Sequence, residues 1–300
     1  MTNALISDRL KRFEIPDRIR ILGGQGKLTK IEASSDWSTA EIYLHGAQVT
    51  AFQKKGEPPL LFMSERSRFA PDQAIRGGIP VIFPWFGPRE GEPAHGFARL
   101  AEWELNEATT SPAGGVSLRL TLPGTEVGGT RPAFSANYVV TITDTLTLEL
   151  ILTNLSAKQD FTFENCLHTY FAVGDISAVS ISGLKGVNYL DKVENFAQKT
   201  EKAEAISVTS EVDRVYFNSS ETVEILDSNL RRKIRVEKNG SASTVVWNPW
   251  TAKARQMPDF DDEEYRQMVC VESGNVRTNK LVLASGKSSV LKVVLSSAAV

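Results

Sequence analysis

The sequence predicts an all-β protein built from antiparallel strands that pack as two large sheets. Three observations support this class: apolar and polar residues alternate over several runs, paired turn residues recur at short intervals, and helical spacing occurs only near the start. Alternation is typical of a half-buried strand, whose two faces meet the core and water. Many short strands without long helices between them favour an antiparallel sandwich or barrel over a parallel βαβ fold.

The elements follow in chain order. Residues 1–20 are predicted to form a helix or extension, since Ile6, Leu10 and Phe13 can line one helical face before Pro16 ends it. The alternating runs predict strands at Ala40–Val49, Val116–Leu122, Tyr138–Thr153, Val179–Ile181, Thr222–Leu226, Lys233–Glu237, Ser243–Val246, Met268–Glu272 and Val290–Leu295. Turns are predicted at Gly23-Gly24, Gly114-Gly115, Gly128-Gly129, Asn239-Gly240 and Ser285-Gly286.

Composition narrows the functional class. The 300 residues include 34 basic and 36 acidic side chains, a formal net charge of −2 that lacks the footprint of a nucleic-acid-binding protein. Two cysteines indicate reduced thiols in a cytoplasmic protein. No apolar run reaches the ~18 residues of a membrane span, and the charged N-terminus does not resemble a signal peptide. With no linker or repeat, residues 1–300 are expected to form a single domain.

One of the three histidines, His168, belongs to the first candidate site. Cys166-Leu167-His168 and Cys270-Val271-Glu272 share one spacing, and residues two apart on a strand share a face. If the two strands are neighbours, His168 and Glu272 project into one cleft, and an imidazole beside a carboxylate can act as a general acid and base. Two alternatives remain open: a metal site that includes the two cysteines, or cysteines that serve only as small apolar core residues.

Arginines and aromatic rings suggest how a ligand could be held. Arg76 opens a glycine- and proline-rich segment and Arg99 follows His95 by four residues, so that two guanidinium groups on stiff loops could bind a phosphate or carboxylate. The alternative is that both arginines bond loop carbonyls. The rings of the Trp85-Phe86 and Trp247–Trp250 segments could stack on a sugar or pack in the core. The acidic stretch 259–264 is interpreted as a solvated loop or helix start.

Six motifs in order resemble the hexose-6-phosphate mutarotase family, the glucose-6-phosphate 1-epimerases of the aldose 1-epimerase superfamily. They are IRGGIPVIFPWFGP, AHGFAR, HTYFAVGDI, DRVYFN, VVWNPW and CVESG, and together the matches extend from about Glu41 to Gly286. The resemblance implies the antiparallel β-supersandwich of the galactose mutarotase type. It also implies a small-molecule partner, a hexose 6-phosphate, with no cofactor, metal, nucleic acid or membrane, in a protein expected to be monomeric.

The resemblance assigns catalytic roles to two residues. His168 is implied to be the general acid and Glu272 the general base. Glu272 would take the proton of the anomeric hydroxyl O1 while His168 protonates the ring oxygen O5. The C1–O5 bond then opens, the C1–C2 bond rotates, and the ring recloses on the other carbonyl face.

Binding roles follow in the same way. Arg76 and Arg99 are implied to contact the sugar phosphate, Asp213 to bind sugar hydroxyls, and His95 to support catalysis or binding near the ring. One position departs from the family, since Ala94 stands where some relatives carry a substrate-binding glutamine. A non-catalytic carbohydrate-binding protein and an aldose 1-epimerase for unphosphorylated sugars remain the alternatives. A glycoside hydrolase would need a second placed carboxylate.

Overall fold

The computed structural model describes residues 7–123 and 133–300. The predicted turn at Gly128-Gly129 and the first residue of the predicted helical face, Ile6, lie outside the described residues. Within them the N-terminal helix α1 is only Asp8–Lys11, and a second helix, α2, covers Trp250–Ala254. No helix in the described part of the chain is long and apolar enough to cross a bilayer.

Strands dominate the described residues. In chain order they are β1 Ile19–Gly23, β2 Thr29–Ser34, β3 Ser38–Tyr43, β4 Gln48–Lys54, β5 Val81–Ile82, β6 Glu104–Thr110, β7 Val116–Leu122, β8 Phe134–Ile142, β9 Leu146–Asn154, β10 Phe161–Phe163, β11 Asn165–Leu167, β12 Tyr170–Ala172, β13 Val179–Ser182, β14 Asn188–Asp191, β15 Ala197–Thr200, β16 Ala205–Ser207, β17 Val212–Phe217, β18 Val223–Asp227, β19 Arg232–Asn239, β20 Ser243–Asn248, β21 Met268–Asn275, β22 Leu281–Leu283 and β23 Ser288–Ala299.

Two large antiparallel sheets organise these strands. One has nine strands in the order β16-β13-β18-β19-β23-β9-β8-β7-β6, and the other has eight, ordered β15-β14-β17-β20-β21-β11-β5 with β12 also paired to β21. Strands β1 to β4 form a four-stranded sheet in sequence order, and β10 pairs with β22. The predicted all-β class of antiparallel sheets is confirmed.

Two predicted strands are each a pair of strands. The run Tyr138–Thr153 divides into β8 and β9, joined by the turn at residues 143–145. Even-numbered residues are buried on both strands, and Ile142 pairs with Leu146 at the turn. The alternation of buried and exposed residues therefore continues without a break through the hairpin, so the pattern in the sequence does not reveal the turn. The run Ala40–Val49 likewise divides into β3 and β4, because residues 44–47 turn with Gly46 at a positive φ of 71°.

The two large sheets share one apolar core. A single cluster of buried side chains contains Val246 and Val271 of the eight-stranded sheet and Leu150 and Val293 of the nine-stranded sheet. Strand β21 is buried along its whole length, so both of its faces are covered. One face directs Val271 into the shared core, and alternation directs its neighbour Glu272 to the opposite face.

Candidate active site

The floor of the site is one face of four neighbouring strands. The register places Tyr170 of β12 opposite Cys270 of β21, Cys270 opposite Trp247 of β20, and Trp247 opposite Asp213 of β17. Directly opposed residues of antiparallel strands point to the same face, as do residues two apart on one strand. Tyr170, Trp247, Asp213 and Glu272 therefore project from the same side of the sheet.

His168 lies between two short strands, β11 and β12, that both pair with β21. Their common register brings His168 opposite Glu272, and its Nε2 lies 3.2 Å from Oε1 of the carboxylate. The structure thus brings together the two side chains that the matching spacing singled out. His168 stacks on Tyr170 with ring centroids 4.8 Å apart, which fixes the plane of the imidazole.

The pair opens on a cavity of about 210 Å³. Five of the six site residues expected from the sequence line it; Arg99 does not. The lining residues are Arg76, Phe86, His95, His168, Tyr170, Lys192, Asp213, Trp247, Lys253, Met257 and Glu272. Two lysines in this set, Lys192 and Lys253, were not expected, because each lies in a charged segment of the sequence with no motif of its own.

Arg76 is held by two partners at the cavity wall. Its Nε and Nη2 donate to the two carboxylate oxygens of Asp259 at 3.1 and 3.3 Å, and Nη1 donates to the Tyr170 hydroxyl at 3.0 Å. A guanidinium has five N–H groups, so two remain for a ligand. The interpretation of 259–264 as a solvated loop or helix start is confirmed in one respect, because the short 3-10 helix Glu264–Gln267 begins at its end. Solvation is wrong at Asp259, whose carboxylate is 17% exposed and ion-paired, and at Glu264, which is buried.

Arg99 behaves as the loop-bonding alternative describes. Its Nη2 donates to the carbonyl of Ala94 at 2.7 Å, and burial lowers the pKa of the guanidinium to about 10. The contact ties Arg99 to the loop that carries His95, and the structure does not bring its side chain to the cavity wall. Arg99 therefore affects the site indirectly: its positive charge acts on His95, and its hydrogen bond holds the loop that carries His95.

His95 is presented as a neutral ring. Its backbone adopts a positive φ of 65°, its N–H donates to the Gly87 carbonyl, and the Gly87 N–H donates to Nδ1 at 3.3 Å. Burial, and then the nearby arginine and lysine cations, lower the pKa of His95 to about 3. Because Nδ1 accepts a hydrogen bond, the single ring proton resides on Nε2, which is a donor. The ring packs edge-on against Phe86.

Asp213 and Lys192 form an ion pair across neighbouring strands. The Nζ of Lys192, the residue after β14, lies 2.6 Å from Oδ2 of Asp213 on β17. Burial raises the pKa of Asp213, and Lys192 opposes that rise. The ion pair uses Oδ2, so Oδ1 of Asp213 and the remaining ammonium hydrogens of Lys192 are left for other partners.

Electrostatics draw His168 and Glu272 towards their uncharged forms. Burial lowers the pKa of His168, and nearby positive charges lower it further; burial and then the Asp213 carboxylate raise the pKa of Glu272. A neutral imidazole beside a protonated carboxyl holds the same number of protons as an imidazolium beside a carboxylate. The pair can therefore move one proton between an acid and a base without changing its total charge.

The alternative metal site depends on the two cysteines. Cys166 and Cys270 are both buried and free, and they pair with different residues of the opposing strands. In the residues that the structure describes, no group of three or more His, Cys, Asp or Glu side chains is close enough to hold a metal ion.

Known proteins resemble this chain over most of its length. Residues 29–296 match the family described as aldose 1-epimerase. A protein of Cenchrus ciliaris named "Putative glucose-6-phosphate 1-epimerase" is 36% identical over 267 residues, which is 86% of this chain and 80% of that protein. An Escherichia coli K12 protein of the same name is 35% identical over 78% of this chain and 79% of its own length.

Solved structures agree. The crystal structure of a putative mutarotase from Salmonella typhimurium superimposes with a TM-score of 0.88 at 29% identity, covering 96% of both chains. Galactose 1-epimerase from Lactobacillus acidophilus shares the fold, with a TM-score of 0.73 at 11% identity over 94% of this chain and 99% of that one. The chain is an isomerase with the galactose mutarotase-like fold and belongs to the aldose 1-epimerase family.

Proposed function

We propose that this enzyme interconverts the α and β anomers of hexose 6-phosphates, with Glu272 as the general base and His168 as the general acid. The observation that carries the proposal is the 3.2 Å contact between His168 Nε2 and Glu272 Oε1 beside a cavity with three cationic side chains. The relatives named as glucose-6-phosphate 1-epimerases support it at 28–36% identity.

The short distance between acid and base suits this reaction. O1 and O5 of a pyranose are bonded to the same carbon, so a base for O1–H and an acid for O5 must be near neighbours. Hydrolysis of a glycoside instead uses two carboxyl groups separated by ~5–9.5 Å. Substrate would replace the direct contact between the two side chains: Oε1 takes the O1 proton, Nε2 gives one to O5, and the C1–O5 bond opens.

The other lining residues complete the proposed reaction. After ring opening, rotation about C1–C2 and reclosure reverse both proton transfers and return the pair to its starting state. The Nε2–H of His95 and Oδ1 of Asp213 can bind hydroxyls, while Phe86 and Trp247 offer flat apolar faces to the C–H groups of the ring. Each general acid or base contributes roughly 10²–10⁴-fold in rate.

Cationic side chains favour a phosphorylated substrate. Arg76, Lys192 and Lys253 line the cavity in a chain whose formal net charge is −2, so their positive charge is local. Arg76 retains two N–H donors, and a guanidinium fork matches two phosphate oxygens. One observation favours the second candidate, an aldose 1-epimerase for free hexoses: Asp259 and Asp213 already neutralise Arg76 and Lys192.

One experiment tests both candidates. The rate of α/β exchange is measured by NMR exchange spectroscopy on glucose 6-phosphate and on glucose, with wild type, His168→Asn and Glu272→Gln. We expect faster exchange of the phosphorylated sugar and a loss of at least ~100-fold in each variant, because each removes one proton-transfer group.

The matched control is Glu149→Gln, which removes a carboxylate from β9 that pairs with Lys292 away from the cavity. It should exchange like wild type. Full activity in both His168→Asn and Glu272→Gln would refute the mechanism, and equal rates on the two sugars would favour the free-hexose candidate. Calorimetric binding without any exchange would indicate a carbohydrate-binding protein.

A further inference from the structure

A buried thiol contacts the far side of the Glu272 carboxylate. The Sγ of Cys166 lies 3.4 Å from Oε2, while Oε1 faces His168. Cys166 is fully buried and Glu272 is 1% exposed. The two oxygens of the carboxylate are therefore divided between two partners: one towards the cavity and one behind it.

The strand register explains how the thiol reaches this position. Cys166 of β11 lies opposite Gly274 of β21, two residues beyond Glu272 on the same face. A Cβ at Gly274 would lie 2.8 Å from the Cβ of Cys166. Because Gly274 has no side chain, β11 with Cys166 occupies the space that a side chain would need, and the thiol can lean diagonally towards Glu272.

The surroundings of the thiol make its hydrogen important. Cys166 packs in a small buried cluster with four aliphatic side chains, Ile82, Val215, Val245 and Val276. Aliphatic groups cannot donate hydrogen bonds, and a buried carboxylate oxygen without a donor is costly. A thiol is a weak donor, and burial raises the pKa of the Cys166 thiol, which keeps its hydrogen in place.

We propose that Cys166 is a positioning residue for the general base, holding Oε2 from behind so that Oε1 faces His168 and the substrate, and stabilising the ionised carboxylate. This rests on the proposed role of Glu272. Replacing the thiol by a group that cannot donate leaves Oε2 against an apolar wall and favours the protonated form. The titratable groups that face Glu272 are His168, Asp213, Lys192, Tyr170 and Cys270, and those that face Cys166 are Lys238 and Cys270.

The test compares Cys166→Ala with Cys166→Ser, which retains a donor. Two quantities are measured: the pH profile of kcat/KM for glucose 6-phosphate, and the Glu272 carboxyl titration by NMR with ¹³C-labelled glutamate, assigned with Glu272→Gln. In Cys166→Ala we expect the acidic limb of the pH profile and the midpoint of the Glu272 titration to shift upward by about half to one pH unit. On the acidic side of the profile, this shift corresponds to a loss of about three- to tenfold in kcat/KM. Cys166→Ser should restore most of this shift.

The control is Cys270→Ala, which removes the other buried thiol, two residues from Glu272 on the same strand. It should leave the Glu272 titration unchanged. The inference is overturned if Cys166→Ala and Cys166→Ser behave alike, or if Cys166→Ala does not move the titration. Wild type that exchanges no hexose would refute the proposed function, while the carboxyl titration still reports on the thiol contact.

Discussion

At the scale of single residues, Arg76 separates the two candidate substrates. In wild type, the Arg76 guanidinium bonds Asp259 and Tyr170 and keeps two N–H groups free. Arg76→Lys keeps the positive charge but loses this forked geometry. We expect kcat/KM for glucose 6-phosphate to fall about 10–100-fold, the range for hydrogen bonds to a charged group, and the value for glucose to change less. Steady-state kinetics on both sugars measure the difference.

Arg99→Lys provides the comparison. If Arg99 acts by holding the Ala94 carbonyl, its replacement affects both sugars to the same extent. If Arg99→Lys instead lowers kcat/KM only for the phosphorylated sugar, the result would support the direct contact between Arg99 and the phosphate that the family resemblance implies. An Arg76→Lys variant that loses both activities equally would contradict a phosphate role for Arg76.

The site could be predicted where residues share a strand pattern. His168 and Glu272 were found because their spacing matches on two strands, and pairing then brings them together. Sequence reasoning missed three charged side chains of the site, Lys192, Lys253 and Asp259, because each comes from a different turn or short helix. The sequence of such a segment does not show which of its charged side chains face the cavity, since that depends on how the segment packs in the fold. Of these three, Asp259 carries the clearest consequence, since it orients Arg76.

At the scale of elements, the loop that carries His95 depends on the next residue. Gly96 has a positive φ of 76°, and a Cβ there would lie 2.0 Å from the carbonyl oxygen of Phe83. We expect Gly96→Ala to destabilise the protein by about 2 kcal/mol or more, because backbone strain adds to this clash, and to slow anomer exchange by displacing His95. Urea denaturation and the exchange assay measure the two effects.

Gly91→Ala is the matched control. Gly91 has a similar φ of 71°, but a Cβ at this position would meet no other atom within 4 Å, so this variant carries the backbone strain alone. It should cost about 1 kcal/mol and leave exchange unchanged. Equal destabilisation by the two variants would show that the contact with Phe83 has no energetic weight.

Element boundaries show where periodicity loses information. The alternation predicted β7 at its observed bounds, and placed β13, β18, β19, β20, β21 and β23 within one or two residues of at least one end. It could not separate β8 from β9, because a hairpin that preserves the phase of burial has no break in the pattern. Strands β1, β2, β5, β6, β10, β14 to β17 and β22 were not predicted, since their alternation is short or interrupted by charge.

At the scale of the whole molecule, Lys238 connects the two large sheets. It lies near the end of β19 and contacts Thr244 of β20, where the chain passes from the nine-stranded sheet to the eight-stranded one. Burial lowers the pKa of Lys238 to about 7, against ~10.4 in an unfolded chain. Between these values the unfolded state binds the extra proton, so the free energy of unfolding rises with pH.

Lys238→Met removes this titration. We expect wild type to gain stability from pH 6 to 9, by at most about 1.4 kcal/mol per pH unit from this group, and the variant to gain less. Urea denaturation at each pH measures the free energy of unfolding. The control is Lys287→Met, which replaces an exposed lysine. Identical pH dependence in all three proteins would mean that the Lys238 amine keeps an ordinary pKa. We also propose that residues 1–300 act as one domain, and a single transition in the wild-type urea curves would support this.

The division of the site between one sheet and its surrounding loops has a consequence for evolution. The His168–Glu272 pair, with Tyr170, Trp247 and Asp213, is held by backbone ladders that fix every position at once. Arg76, His95, Lys192 and Lys253 come from a loop, two turns and a short helix, which can change length or composition independently. Under the proposed mechanism, a lineage can therefore exchange the chemical group that it recognises on a sugar while it inherits the two proposed proton-transfer side chains unaltered.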